Sequence, residues 1–303
     1  MDNPRVLLAI ALSFLILLIW QAWMEDYGPR PEPAQQAAET ESQGAAPTPA
    51  IPSDLPTAPT EQAVAAAGED TGAQLPAGER VEVVTDVFHA LIDTRGGDLR
   101  QVDLLQYPQS RDKDSEPFRL LEESPQQLFV AQSGLRAGAG PEPTHHAQFS
   151  VDQTRFELDD GSEVLEVPLR WSNGGGVEVT KLYRFRRGSY VVEVEFQVRN
   201  QSGADWSARP YYQLQRTPLQ QESRLLYTYT GGVLYSPEEK YEKISFDDMS
   251  DENLSRDVSG GWAAMIQHYF LAAWIPPADQ TERYYTRALK GERYVIGMIG
   301  APL

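Results

Sequence analysis

Hydrophobic and polar positions change character twice along this chain. Val6 to Ile19 holds 13 apolar residues and a single polar one, Ser13, and the next charge comes at Glu25. Counted through Met24, the uncharged segment has 19 residues. As a helix it spans roughly 28 Å, against a hydrocarbon core of roughly 30 Å. The pattern predicts a transmembrane α-helix. Trp20, Trp23 and Tyr27 follow the run as amphipathic aromatics suited to the membrane–water interface. No small-residue pattern precedes Glu25 and Asp26, which favours an anchor over a cleaved signal peptide. Arg5 lies closest to the run, so the positive-inside rule places the N-terminus in the cytoplasm.

The second change is at Gly28. Residues 28–78 hold nine prolines, thirteen alanines, no aromatic residue, and Arg30 against seven acids. Such a segment buries too little apolar surface to offset chain entropy and is expected to be a disordered linker. As a coil it would reach roughly 40 Å.

From Glu79 onward the pattern is that of short strands. Runs at Val81–Val84, Val87–Ile92, Leu99–Leu105, Leu128–Gln132, Phe149–Val151, Val164–Trp171, Tyr211–Leu214, Arg224–Tyr229 and Tyr294–Ile299 are β-rich. Val177 to Val198 reads as a hairpin with one buried and one solvated face. Gly260 to Pro276 fits either period, and the β context favours two strands broken near Gln267-His268. Turn signals recur at Asp160-Gly161, Asn173-Gly174, Ser202-Gly203, Gly231-Gly232 and Gly260-Gly261. The organisation expected is 1–27 anchor, 28–78 linker and 79–303 a mainly β sandwich domain.

Composition narrows the chemistry. The 303 residues contain no cysteine, which excludes disulfides, thiolate metal sites and a cysteine nucleophile. The formal charge is −18, of which −10 lies in residues 79–303, with 24 Lys and Arg against 34 Asp and Glu. An acid excess of this kind argues against a nucleic-acid partner. The four histidines are not at metal spacing. His145-His146 reads as a solvated loop pair, and His89 and His268 as hydrogen-bonded structural residues. Asp247, Asp248, Asp251 and Glu252 lack calcium-loop spacing and read as a solvated loop. No nucleophile elbow, Walker loop or dinucleotide fingerprint is present, so no catalytic, cofactor or metal residue is assigned and an enzyme is not expected. The residues alone leave two classes open: a docking domain for membrane partners, or a membrane-tethered carbohydrate- or peptide-binding sandwich.

Four stretches carry a family resemblance. They are Asn3–Trp23, Thr94-Arg95-Gly96-Gly97-Asp98, Tyr235 to Lys243 (YSPEEKYEK), and Gly260 to Pro276. Together they resemble the N-terminal half of the YidC family of membrane protein insertases of Gram-negative bacteria. The resemblance implies an inner-membrane protein with a periplasmic domain, a twisted β-supersandwich similar to sugar-mutarotase-like proteins. It implies insertion and folding of inner-membrane proteins, alone or with the Sec translocon. It also implies contact with SecD and SecF through a region similar to Tyr235–Lys243. Tyr235, Lys240, Tyr241 and Lys243 are therefore the expected partner-contact residues, and an internal turn is the equal alternative for the motif. The family's five further transmembrane helices have no counterpart in these residues. The chain is accordingly expected to be the front part of an insertase, ending before the last strands and closing helix of the domain, able to anchor and dock without inserting.

Overall fold

The computed structural model describes residues 75–138, 140–219 and 229–303. The expected anchor, with Trp20, Trp23 and Tyr27, lies outside the described residues, as do nearly all of the expected linker and all but Tyr229 of the expected strand at 224–229. Among the described residues no helix is long and apolar enough to cross a membrane.

The described chain is mainly β. In chain order the strands are β1 (Arg80–Val84), β2 (Phe88–Asp93), β3 (Asp98–Pro108), β4 (Pro117–Glu123), β5 (Leu128–Ala137) and β6 (Arg155–Glu157). Next come β7 (Val164–Ser172), β8 (Val177–Arg186), β9 (Val192–Asn200), β10 (Ala208–Arg216), β11 (Thr230–Ser236) and β12 (Lys240–Ile244). A short helix α1 (Phe246–Asp251) precedes β13 (Ser255–Ser259), β14 (Trp262–Gln267), β15 (Phe270–Trp274), β16 (Thr281–Leu289) and β17 (Arg293–Ile299). They form a ten-stranded sheet in the order β13-β16-β17-β10-β5-β4-β3-β2-β1-β6, a four-stranded sheet β12-β11-β14-β15 and a three-stranded sheet β7-β8-β9.

One apolar core joins the three sheets. It takes Val81, Ile92 and Phe129 from the large sheet, Leu169, Val179 and Phe185 from the three-stranded one, and Leu234, Ala263 and Met265 from the four-stranded one. The alternation that predicted the hairpin at Val177–Val198 is the reason it forms. Val177, Val179, Tyr183 and Phe185 turn into the core while Glu178 and Arg186 face solvent. Gly260–Pro276 folds as the two strands β14 and β15, broken at His268.

Several expectations are corrected. Phe149–Val151 is no strand; it supplies one isolated bridge, Ser150↔Arg170, next to another at Arg95↔Gln148. Gly231-Gly232 is not a turn but lies inside β11. A Cβ at Gly231 would stand 2.6 Å from the Tyr229 hydroxyl, and one at Gly232 would strike the end of Met249. The glycines there serve close packing rather than chain reversal. The acidic run at 247–252 is not a loop, because Ser245 and Asp248 make a capping box and the segment winds into α1. His268 is not a bonded structural residue but an exposed turn residue at φ 57°.

Candidate functional site

The hairpin of β11 and β12 brings all four expected partner-contact residues together. Its register sets Tyr235 opposite Tyr241 and Ser236 opposite Lys240, and on the other side β14 sets Trp262 opposite Tyr235. Tyr241, Tyr235 and Trp262 thus form one row across three strands. The Tyr235 and Trp262 rings stack at 5.6 Å and 7°, and Tyr241 meets Trp262 edge-on at 6.4 Å. Such aromatic pairs stabilise a sheet by about 0.5–1.5 kcal/mol beyond burial. Tyr235 is half-buried in the stack, whereas Tyr241 is 48% exposed, and Lys240 and Lys243 face solvent. Lys240 holds φ 63°, which turns the chain out of Glu238-Glu239 and into β12. The Lys243 ammonium lies 4.7 Å from the Tyr229 ring, a cation–π contact. Between them Glu242 accepts from Arg256 at 2.7 Å. Trp262 was not among the expected contact residues; its place in a second aromatic motif was visible, but its pairing with Tyr235 is set by the tertiary register.

A second constellation, missed in the sequence, is sealed inside. The Thr94–Asp98 turn wraps a buried ammonium. Lys181 Nζ donates to the carbonyls of Gly96 and Ser133 at 3.0 Å each and lies 3.8 Å from Asp98 Oδ1. Gly97, at φ +61°, leaves room for the Lys181 stem, since a Cβ there would stand 3.1 Å from Lys181 Cδ. Tyr183 Oη donates to the Gly97 carbonyl at 2.5 Å. Asp98 Oδ2 accepts from Gln132 at 3.1 Å, Gln132 from Gln213 at 2.9 Å, and Gln213 from Tyr285 Oη at 2.7 Å. Arg100 lies 3.5 Å from Asp98 and reaches Glu123 at 3.2 Å.

Burial pushes the Asp98 carboxyl up to about 6, opposed by the charges of Lys181 and Arg100. Burial pulls Lys181 down to about 8, opposed chiefly by Asp98. The pair is therefore charged at neutral pH. Both side chains are wholly buried, so no ligand touches them in this state. The cluster fastens β8 to the Gly96-Gly97 turn.

His145 belongs to the same interior, so the reading of a solvated pair holds for the exposed His146 and fails for His145. It is 8% exposed, and Tyr211 Oη accepts its amide at 2.8 Å while meeting its Nδ1 at 2.6 Å. The hydroxyl thus holds both the main chain and the ring of His145, and the direction of its bond to Nδ1 follows the tautomer of the imidazole. Burial, and after it the neighbouring His146, Lys181 and Arg100, hold this ring well below the usual histidine range. His89 bridges Asp103 at 3.2 Å and Glu82 at 3.1 Å on a strand, as expected of a structural histidine. Among the described residues no group of three or more His, Asp or Glu is placed to hold a metal ion.

Fold and site together define a mainly β domain with a sealed ionic centre and an aromatic-basic hairpin open to solvent. Residues 80–303 match the family model described as the YidC periplasmic domain. Over its whole length the chain is 44% identical to the membrane protein insertase YidC of Methylococcus capsulatus, covering 54% of that protein. Over 98% of its length it is 43% identical to the corresponding protein of Alkalilimnicola ehrlichii, covering 52%. The chain belongs to the YidC family, and it spans about half the length of the curated relatives it matches. A galactose mutarotase-like protein from Lactobacillus casei is similar at 10% identity and a TM-score of 0.38, over 73% of this chain and 87% of that one, a level too distant to speak for fold or function.

Proposed function

We propose that this chain is the anchoring and periplasmic part of an insertase that places and helps fold proteins in the inner membrane, alone or with the Sec translocon. The observation that supports it best is the 44% identity to a membrane protein insertase along the entire chain. In this reading residues 1–27 span the bilayer with the N-terminus in the cytoplasm, and 28–78 form the linker. Trp20, Trp23 and Tyr27 mark the interface, and 79–303 form the periplasmic domain. The hairpin of Tyr235, Lys240, Tyr241 and Lys243 is the surface offered to SecD and SecF. The exposed Tyr241 supplies apolar area, and the two ammonium groups supply positive charge within a domain of net charge −10. Aromatic anchors flanked by charge suit a protein interface.

The hairpin is tested by Lys240→Glu with Lys243→Glu and, separately, Tyr241→Ala, in the chain co-expressed with SecD and SecF. Recovery of SecF with the purified chain is expected to fall several-fold for each. Undiminished recovery removes the hairpin as a contact and leaves family membership untouched.

A further inference from the structure

A second exposed apolar surface lies at the β14–β15 end of the sheet that carries the docking hairpin. The end of β3, the turn before β9 and the turn between β14 and β15 meet there. Tyr107 packs against Tyr190 at 5.7 Å and against Phe270 at 5.4 Å, and Phe270 stacks on Phe118 at 4.1 Å. Around this seam Tyr107 is 44% exposed, Tyr190 40%, Val191 67% and Tyr269 86%. The β14–β15 hairpin end is apolar on both sides. Phe270 turns towards Phe118, so Leu271, next along the strand and 49% exposed, turns the other way. Three chain segments far apart in sequence leave aromatic and aliphatic side chains in water at one place, which calls for a covering partner.

Charge narrows what that partner is. From Val258 to Ala278 there are 21 residues without one Asp, Glu, Lys or Arg, in a domain that otherwise carries 24 basic and 34 acidic side chains. A charged protein partner would find nothing to pair with on this hairpin. A bilayer surface asks for this combination: a neutral projection with tyrosines for the headgroup level and aliphatic side chains for the acyl boundary. The remainder of the domain, at −10, would be repelled by acidic lipid, so the uncharged hairpin end leads towards the surface, ahead of neighbouring segments that carry Asp86 beside Gly188 and Arg111 to Glu116 after Tyr107.

We propose that Tyr269 and Leu271 on the β14–β15 hairpin, with Tyr107, Tyr190 and Val191 beside them, rest the folded domain on the bilayer surface. This rests on the reading of residues 6–24 as an anchor. A linker with a reach of roughly 40 Å keeps the domain at high effective concentration near the lipid, so a weak patch suffices.

The absence of cysteine makes the test direct. The full chain carrying Tyr269→Cys, Val191→Cys or Ala204→Cys is spin-labelled and reconstituted in phosphatidylcholine vesicles. Ala204 is exposed just beyond the far end of β9 from the patch and serves as the reference. The ratio of oxygen to nickel-chelate accessibility is expected to be several-fold higher at 269 and 191 than at 204. Equal ratios in a chain that floats with the vesicles remove this proposal and leave the anchor standing. A chain that does not float removes both. Spin–spin broadening at 269 that grows with the protein-to-lipid ratio assigns the patch to a second copy, and shielding that appears only after an apolar peptide is added assigns it to a polypeptide. Either result overturns the lipid assignment.

Discussion

Asp98 and Lys181 show what a single buried charge demands of its surroundings. Lys181 is inward because it is in phase with Val177, Val179 and Phe185 on β8. That phase is legible in the sequence, since every second residue of the hairpin points the same way. Its partner is not legible, because Asp98 lies 83 positions earlier and only the packing of two sheets brings it within 3.8 Å. Removing one member leaves the other charge buried. Asp98→Asn is expected to cost about 3–5 kcal/mol, and so is Lys181→Met alone, whereas the double variant should cost clearly less than their sum. Urea denaturation of the four proteins measures the cycle, and additive losses would show that the pair does not act as a unit. The pH dependence has a defined sign. Asp98 is the main influence holding the Lys181 proton on, so in Asp98→Asn the lysine falls further below its present value of about 8. The unfolded chain then binds more protons than the folded one from that lower value up to 10.5, and stability rises with pH across the window. The parent gains in the same way only above its own value of about 8, so the deficit of Asp98→Asn against the parent should shrink as pH rises to about 8 and level off beyond it. A deficit that widens would contradict the assignment.

At the scale of elements, hairpins whose pattern alternated strictly were readable and elements made by packing were not. β8–β9 follows from alternation, and β14–β15 from an apolar run interrupted at Gln267-His268. Gly231-Gly232 misled because a glycine pair signals a turn equally well as a close approach; Met249 on α1 is what claims the space. The helix itself was hidden by its acids, which look like a solvated loop until the Ser245–Asp248 reciprocity is noticed. The YSPEEKYEK motif could be singled out in the sequence, but only the strand register shows Tyr235 under Trp262 and leaves Tyr241 and the lysines outside. α1 is six residues long and owes its place to its cap and to the buried Met249. Ser245→Ala removes the hydroxyl that accepts from the Asp248 amide at 3.0 Å and is expected to cost about 1 kcal/mol. Hydrogen exchange at 246–251 should quicken while β8 and β9 keep their protection. Unchanged exchange there would mean that packing by Met249 alone holds the helix.

The molecule as a whole is divided by composition into an apolar span, a Pro/Ala-rich stretch and a β domain, and the described residues extend that domain ahead of the boundary composition sets at Glu79. Ordered contacts start ahead of Glu79. The Leu75 amide donates to Glu123 at 3.0 Å, the Gly78 amide to Asp93 at 2.8 Å, and the Glu79 amide to Thr94 Oγ1 at 2.8 Å. A side chain at Gly78 would stand 2.5 Å from Thr94 Oγ1, so the strand enters along a path too close for any Cβ. These bonds tie the entering chain to both Glu123, at the end of β4, and the Thr94 turn that cradles Lys181. On the proposed reading of 28–78 as a linker, cleavage ahead of Leu75 should cost the domain nothing, while loss of residues 75–79 would remove all three bonds. Limited proteolysis by a protease of broad specificity is therefore expected to leave a resistant fragment whose first residue lies at or before Leu75 and whose mass runs to Leu303. A Glu123→Gln variant, which weakens the Leu75 and Arg80 contacts at once, should shift that limit towards Gly78. Resistance beginning within β1, or cuts spread through the strands under native conditions, would contradict a domain closed at its entry by these three bonds.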